Sequence, residues 1–337
     1  MTLEKPGAPP AAIGTSAVPG KWKLAIQLLS RSSPVLSLLL LIVLLALIAP
    51  EFFSWSNFVN ISRQSAAMGI LAIGQTLVII LAGIDLSVGS IMAFSGCLIA
   101  VAATQWGVHP YAAVLLGILG GVAIGVLNGA VIAKARIQDF IATLGSMTTV
   151  AGLALLVRDG LPISGIPDRI LRLGSGKIFG IPVEFIVFLI MAVLGWIILN
   201  MTTLGRNALA IGGNLEAAKV SGIRVDRTRI IVYGFSGLCA AVASIVMIGR
   251  LNSANALMGS GMELLSIAAV VLGGTSLAGG AGGIGGTIIG VFTMGVLSNG
   301  LDLLNISAFW QRVILGLVII GVVTLDTWRR RRTSRAL

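Results

Sequence analysis

Charge is scarce in this sequence: Asp, Glu, Lys and Arg make up 10% of its 337 residues, against about a quarter in an ordinary soluble domain. A water-soluble globule is thereby excluded. Histidine is scarcer still, with His109 alone, so a base poised near neutral pH is all but missing. No Ser, His and Asp arrangement and no pair of carboxylates on one helix face accompanies it, which argues against an enzyme. The two cysteines, Cys97 and Cys239, both lie inside apolar runs and read as small buried hydrophobes rather than a disulfide or metal ligands. His109 precedes Pro110 with no Cys, Asp or Glu at ligand spacing, so neither a metal nor a cofactor is expected. A phosphate-binding loop is missing as well, because five residues rather than four separate Gly14 from Gly20 and its following Lys21. Any ATP used here must be bound by another chain.

What the sequence has in quantity is apolar length. Hydrophobic residues make up 56% of it, and 44 glycines are mixed into long apolar runs, a pairing that suits closely packed membrane helices. Runs near twenty residues, broken by charges, Pro or Gly clusters, predict an all-α polytopic membrane protein of ten spans. These lie near 34–50, 65–82, 87–104, 112–132, 139–157, 182–201, 230–249, 263–279, 284–301 and 309–326. Residues 1–33 are expected as a disordered tail, 34–326 as the membrane domain and 327–337 as a basic tail. Lys21, Lys23 and Arg31 before the run 35–49 resemble a signal peptide. The tail ahead of them is too long and Ala49-Pro50 is a poor cleavage site, so an uncleaved first span is expected.

Of the 23 lysines and arginines, sixteen fall in the tails and the alternate loops that share their side, and seven in the other loops. That bias predicts cytoplasmic N- and C-termini. The net charge of +11 thus serves orientation, with Arg329 to Arg332 as a stop-transfer anchor in contact with anionic lipid. Nucleic acid is not expected as a partner.

Gly117, Gly121, Gly125 and Gly129 recur every fourth residue in the fourth span, leaving one helix face open to close approach by another backbone. Leu81, Gly83, Leu86 and Gly89 match Leu272, Gly274, Leu277 and Gly280 at one constant offset, an internal echo of the sort transporters carry. Intramembrane polar groups are costly, so Gln75, Asn128, Thr143, Ser146, Ser236, Asn299 and Asp302 are candidates for lining a hydrophilic path, with hydrogen bonding between helices as the competing reading. Asp85 and Glu263 lie near span ends, where capping of the following helix competes with gating.

The one long loop on the cytoplasmic side, 202–229, carries Gly205-Arg206-Asn207 and then Gly213-Asn214-Leu215-Glu216-Ala217-Ala218-Lys219-Val220-Ser221-Gly222-Ile223. Asn214 is a good N-cap, Glu216 sits where the helix dipole favours an acid, and Gly222 is a natural stop, which predicts a two-turn helix outside the membrane. So short a helix cannot repay nucleation alone and must dock on something. Ala217 and Ala218 are small enough to let that partner approach.

Glu216-Ala217-Ala218, three residues and then Gly222 is similar to the EAA-x-x-x-G loop of ABC importer permeases. Further blocks follow in order: Ala82-Gly83-Ile84-Asp85-Leu86-Ser87-Val88-Gly89; Asn128-Gly129 with Phe140-Ile141-Ala142-Thr143-Leu144-Gly145; Glu263-Leu264 with Ile267 to Leu277; and Asn299-Gly300-Leu301. From about residue 60 to 326 the chain resembles the ribose-type permeases, the membrane subunits of monosaccharide importers. It departs from their pattern at Ala82, where a second Gly is usual, and at Gly213, where an Asn is common. The resemblance implies a bacterial inner-membrane location, a coupling role for Arg206, Asn214, Glu216, Ala217, Ala218 and Gly222, and three partners. Those are a second permease copy, a separate ABC ATPase subunit and a periplasmic sugar-binding protein, for which the outside loop 158–181 offers Arg158, Arg169, Arg172 and Lys177. An ion-coupled secondary transporter is the alternative, and it ordinarily needs buried acids near the midplane, of which this chain offers few.

Overall fold

The computed structural model describes residues 33–333. The expected N-terminal tail, except for Ser33, lies outside the described residues, as does the end of the basic tail at 334–337. The chain enters as α1 (Ser33–Ile48) and a 3-10 turn (Pro50–Phe53), followed by α2 (Trp55–Ile80), α3 (Val88–Thr104), α4 (Pro110–Ala135) and α5 (Asp139–Leu156). A short α6 (Asp168–Gly174) and a two-stranded hairpin, β1 (Lys177–Ile178) against β2 (Ile181–Pro182), lead into α7 (Val183–Met201). Then come α8 (Thr203–Gly213), α9 (Leu215–Val220), α10 (Val225–Leu251), α11 (Met262–Leu272), α12 (Ile284–Leu303) and α13 (Ala308–Thr333).

Local chemistry sets the ends of these elements. The Ser54 hydroxyl accepts from the Asn57 N–H at 3.2 Å and caps α2, while Pro110 opens α4 at a position whose N–H would be unpaired in any case. Helices α4 and α10 stop at Arg136 and Asn252, both left-handed, with φ of 55° and 54°.

Each of the ten expected spans coincides with a helix, but not all in the expected form. Six helices, α2, α4, α5, α7, α10 and α12, are long and apolar enough to cross a membrane; α1, α3, α11 and α13 hold shorter apolar stretches. The largest departure is the eighth span, expected over 263–279. Its helix α11 has 11 residues, about 17 Å of rise against a hydrocarbon layer of about 30 Å. Glycines at 273, 274, 279, 280, 282 and 283 end it. Ahead of it, residues 252–261 run irregularly along α3: Met258 packs on Gly96, and the Gly259 and Gly89 backbones touch so closely that a Cβ on either would overlap the other. Two further boundaries move. Helix α2 starts ten residues before the expected second span, and α13 continues through Arg332 where a tail was expected from 327.

The core centres on α2 and α10. Helix α10 packs against α4, α2 and α3; α2 packs against α7, α12 and α11. The α4–α10 contact is nearly side-chain-free. Gly117, Gly121, Gly125 and Gly129 are all buried. A Cβ at Gly121 would lie 2.8 Å from Ala241 Cβ, one at Gly125 3.1 Å from Gly237 Cα, and one at Gly129 2.7 Å from Ile230 Cα. Gly117 faces Ile99 of α3 in the same way.

This close approach makes Gly125 intolerant of bulk. Gly125→Leu should destabilise the bundle by about 3 kcal/mol or more through overpacking, seen as loss of the monodisperse peak in size-exclusion chromatography after mild heating in detergent. Gly316→Leu, where nothing lies within 4 Å of the added Cβ, should leave the peak intact.

Candidate functional site

The chain leaves the helical path between Ile80 and Val88 while still inside the protein. Asp85 is fully buried, and its carboxylate accepts from the Ser87 N–H at 3.0 Å, the Ser87 hydroxyl at 2.5 Å and the Ser236 hydroxyl of α10 at 2.9 Å. The Gln75 amide of α2 donates to the Asp85 carbonyl, Asn128 of α4 donates to Ser87 Oγ at 2.9 Å, and Thr143 of α5 donates to the Ile84 carbonyl at 3.1 Å. Four helices thus supply partners to one stretch of irregular backbone. Four of the seven path candidates, Gln75, Asn128, Thr143 and Ser236, sit in this buried knot. Their geometry is that of groups satisfying a helix break.

The second arm of the internal echo breaks as well, between Leu272 and Ile284, and the two breaks meet. The Gly280 N–H donates to the Ile80 carbonyl at 2.9 Å, and Gly279 abuts Ala82. Ala82 is held at φ 62°, a left-handed conformation that costs a non-glycine residue roughly 1–2 kcal/mol. The end of α8 closes over this junction. A Cβ on Gly212 would overlap the Ile80 carbonyl and stand 2.5 Å from the Gly280 nitrogen, and one on Gly280 would stand 2.6 Å from Gly213 Cα. Gly213, the residue that departs from the expected Asn, therefore lies at a backbone-to-backbone contact.

Directly after that contact the chain forms α9. The Asn214 side chain accepts from the Ala217 N–H at 3.0 Å, and Gly222 ends the turn at φ 78° with its N–H on the Lys219 carbonyl. Ala218 is buried against the protein. Arg206, Glu216 and Ala217 are exposed, and Val220 is 90% exposed. Glu216 touches only Lys219, at 2.7 Å on the surface, a pair worth about 1 kcal/mol at most.

Two of the remaining three candidates lie at the opposite end of the bundle. Asn299 and Asp302 of α12 line a polar cavity of about 580 Å³ together with Asn57, Asn60, Arg63 and Gln64 of α2, Glu184 of α7 and Arg250 of α10. Asn299 donates to Asn57 Oδ1 at 2.7 Å, and Asp302 accepts from Gln64 at 3.3 Å and Gln311 at 2.8 Å. Arg63 stands 3.6 Å from Glu184. Neither Arg63 nor Glu184 is among the expected site residues: Arg63 precedes the expected second span at 65–82 and falls inside α2 because that helix begins at Trp55, and the one local signal at Glu184 is an acid two residues inside an apolar run. Glu263, at the start of α11, accepts from the Gly261 N–H at 3.1 Å.

Comparison with known proteins assigns the whole bundle. A family described as branched-chain amino acid transport system / permease component matches residues 57–323. The chain belongs to this permease family. The ribose import permease of Bacillus subtilis (strain 168) is 43% identical over 300 residues, 88% of this chain and 93% of that protein. The ribose import permease of Escherichia coli (strain K12) is 41% identical over 318 residues, 93% of this chain and 98% of the relative. The L-arabinose ABC transporter permease of Azospirillum brasilense is 36% identical over 330 residues, 96% and 95% of the two chains. No solved structure matches. These relatives are transport subunits rather than enzymes, and with six helices among its described residues long and apolar enough to cross a membrane, this permease is a multi-pass membrane protein.

The knot around Asp85 yields a stability prediction. Removing a carboxylate that satisfies three buried donors leaves them unpaired, so Asp85→Ala should cost about 3 kcal/mol or more and lower the thermal midpoint of the detergent-held permease. Ser236→Ala should cost less, and the double variant should fall short of the sum, as expected for residues sharing one network.

Proposed function

We propose that the chain is the membrane path of an ATP-driven importer for a monosaccharide or a related polyol, driven by a separate ABC ATPase through α9. The sugar class comes from the relatives, whose names specify ribose, D-allose and L-arabinose. The coupling assignment rests on one observation: α9 is a capped helix whose Ala217 and Val220 are exposed and whose Glu216 pairs only with its neighbour Lys219 among the described residues. A helix so short, with Val220 left uncovered beside the Glu216–Lys219 pair, needs a partner surface to hold it. An ATPase groove is such a surface, and the Gly212–Gly213 contact gives a push on α9 a direct route to the paired breaks. A periplasmic sugar-binding protein would meet the opposite face, where Arg158, Arg169, Arg172 and Lys177 lie.

The permease works, on this reading, as one of two copies in a bacterial inner membrane, with ten spans and both termini cytoplasmic. Helix α5 supports the pairing. Only 17% of its most apolar stretch is buried, against 89% for α2. Its open side carries Gly145, Thr148 and Thr149 among exposed Ile141, Leu144 and Leu153, a mixed surface that a second copy across a hydrophilic path would cover. The buried acid that ion coupling would use is present in Asp85, but its carboxylate is occupied by the Ser87 N–H and hydroxyl and the Ser236 hydroxyl.

Glu216→Lys should abolish ATP-driven sugar uptake in proteoliposomes holding the complete importer, while the permease alone remains monodisperse. Gly222→Pro should do the same, because proline cannot adopt a φ of 78°. Uptake persisting in both variants would remove α9 as the coupling element.

A further inference from the structure

The polar cavity beside Arg63 is more than a surface dent. Its floor is formed by Asn57, Glu184 and Asn299, which are 4%, 2% and 5% exposed. Three polar atoms there have no hydrogen-bond partner among the described residues: Arg63 Nε, one Glu184 carboxylate oxygen and the Asn299 carbonyl oxygen. Leaving such groups unpaired is costly, and Glu184 and Arg63 at 3.6 Å do not satisfy each other. Asn60, Arg250 and Asp302 form an exposed rim. At about 580 Å³ the chamber lies within the roughly 300–1,000 Å³ range of small-molecule sites.

Its chemistry selects a class of ligand. Two arginines face two carboxylates, so the chamber has no net charge to attract an ion of either sign. What it presents instead is a close alternation of strong donors and strong acceptors. A hydroxyl group donates and accepts at once, and neighbouring hydroxyls on one carbon skeleton can answer such an alternation. The chamber lies within one copy of the chain, at the start of α2 and the ends of α10 and α12. Residue 57 is separated from Ile80, at the α9 end, by about 35 Å of helix rise.

We propose that this chamber is a binding site for a neutral polyhydroxylated solute on the face opposite α9, one per permease copy and separate from the path beside α5. The site rests on the reading of the protein as a sugar permease and adds to it a waiting position. A solute held there meets Glu184 and Asn299 at the floor and Arg250 and Asp302 at the rim.

The test uses Asn60→Cys at the rim, in the full chain held in lipid nanodiscs; Cys97 and Cys239 are buried and should stay silent. A charged methanethiosulfonate is applied with D-ribose, D-allose or L-arabinose at increasing concentration. Occupancy should slow thiol modification by the factor one plus concentration over Kd, about fivefold at four times Kd. Adding Glu184→Gln and Asn299→Leu should raise the half-protecting concentration by about tenfold or more. Equal rates at every concentration of all three sugars would overturn the site, and so would protection undiminished in the triple variant, since the thiol would then be shielded by movement elsewhere. Uptake of the same sugars by the intact importer is measured in parallel. Uptake without protection removes the chamber and leaves the permease reading standing, whereas no uptake of any sugar removes both.

Discussion

Backbone N–H and C=O groups that leave a helix inside a membrane protein must find partners within it, and this chain runs irregularly against its own helices at 81–87 and 273–283 as well as at 252–261. Much of the polar chemistry in its interior answers that demand. Asp85 and Ser87 fold the first break back on itself, and Gln75, Asn128, Thr143 and Ser236 bring α2, α4, α5 and α10 onto it. The second break is tied to the first through Gly280 and the Ile80 carbonyl. The breaks therefore fix how the helices around them are arranged, and a group removed from one of them is felt by several helices at once.

The same constraint explains the glycine content. Helices in lipid gain little from burying apolar surface against one another, so they associate by close packing and by hydrogen bonds. The α4–α10 seam achieves the packing by removing side chains at Gly121, Gly125, Gly129 and Gly237. At the paired breaks the glycines Gly212, Gly279 and Gly280 let three separate segments reach hydrogen-bonding or van der Waals distance. Ala82, which resists the left-handed conformation it adopts, marks the position where the usual glycine would relieve strain.

The fold class, the helix behind each span, the α4 stripe and the capped α9 were all legible in the sequence, because each depends on local periodicity or on residues within a few positions of one another. Hydropathy located α11 but overstated it, since a count of apolar residues does not register that Gly273 and Gly274 stop the helix or that 252–261 completes the depth with irregular chain. The polar residues were visible as costs but not as partners. Gln75 and Asn299 look alike in sequence; one bonds a break beside α9 and the other floors a chamber about 35 Å of helix away. Arg63 and Glu184 come together from positions more than a hundred residues apart, and nothing local to either announces the other.

That separation has a mechanical consequence. A displacement of α9 enters the bundle where backbone rests on backbone, at Gly212, Gly213, Ile80 and Gly280, with no flexible side chain in between to absorb it. The first rigid bodies it meets are α2, which ends at Ile80, and α12, which begins just after Gly280. Both of these helices run to the far face and end in the chamber, contributing Asn57, Arg63, Asn299 and Asp302. A tilt of either about its broken end is magnified along its length, so a small movement at α9 changes most the spacing of the donors and acceptors farthest from it. On the coupling proposed above, α9 and the chamber stand at opposite ends of α2 and α12, joined through the paired breaks, whose hydrogen bonds are made within the protein.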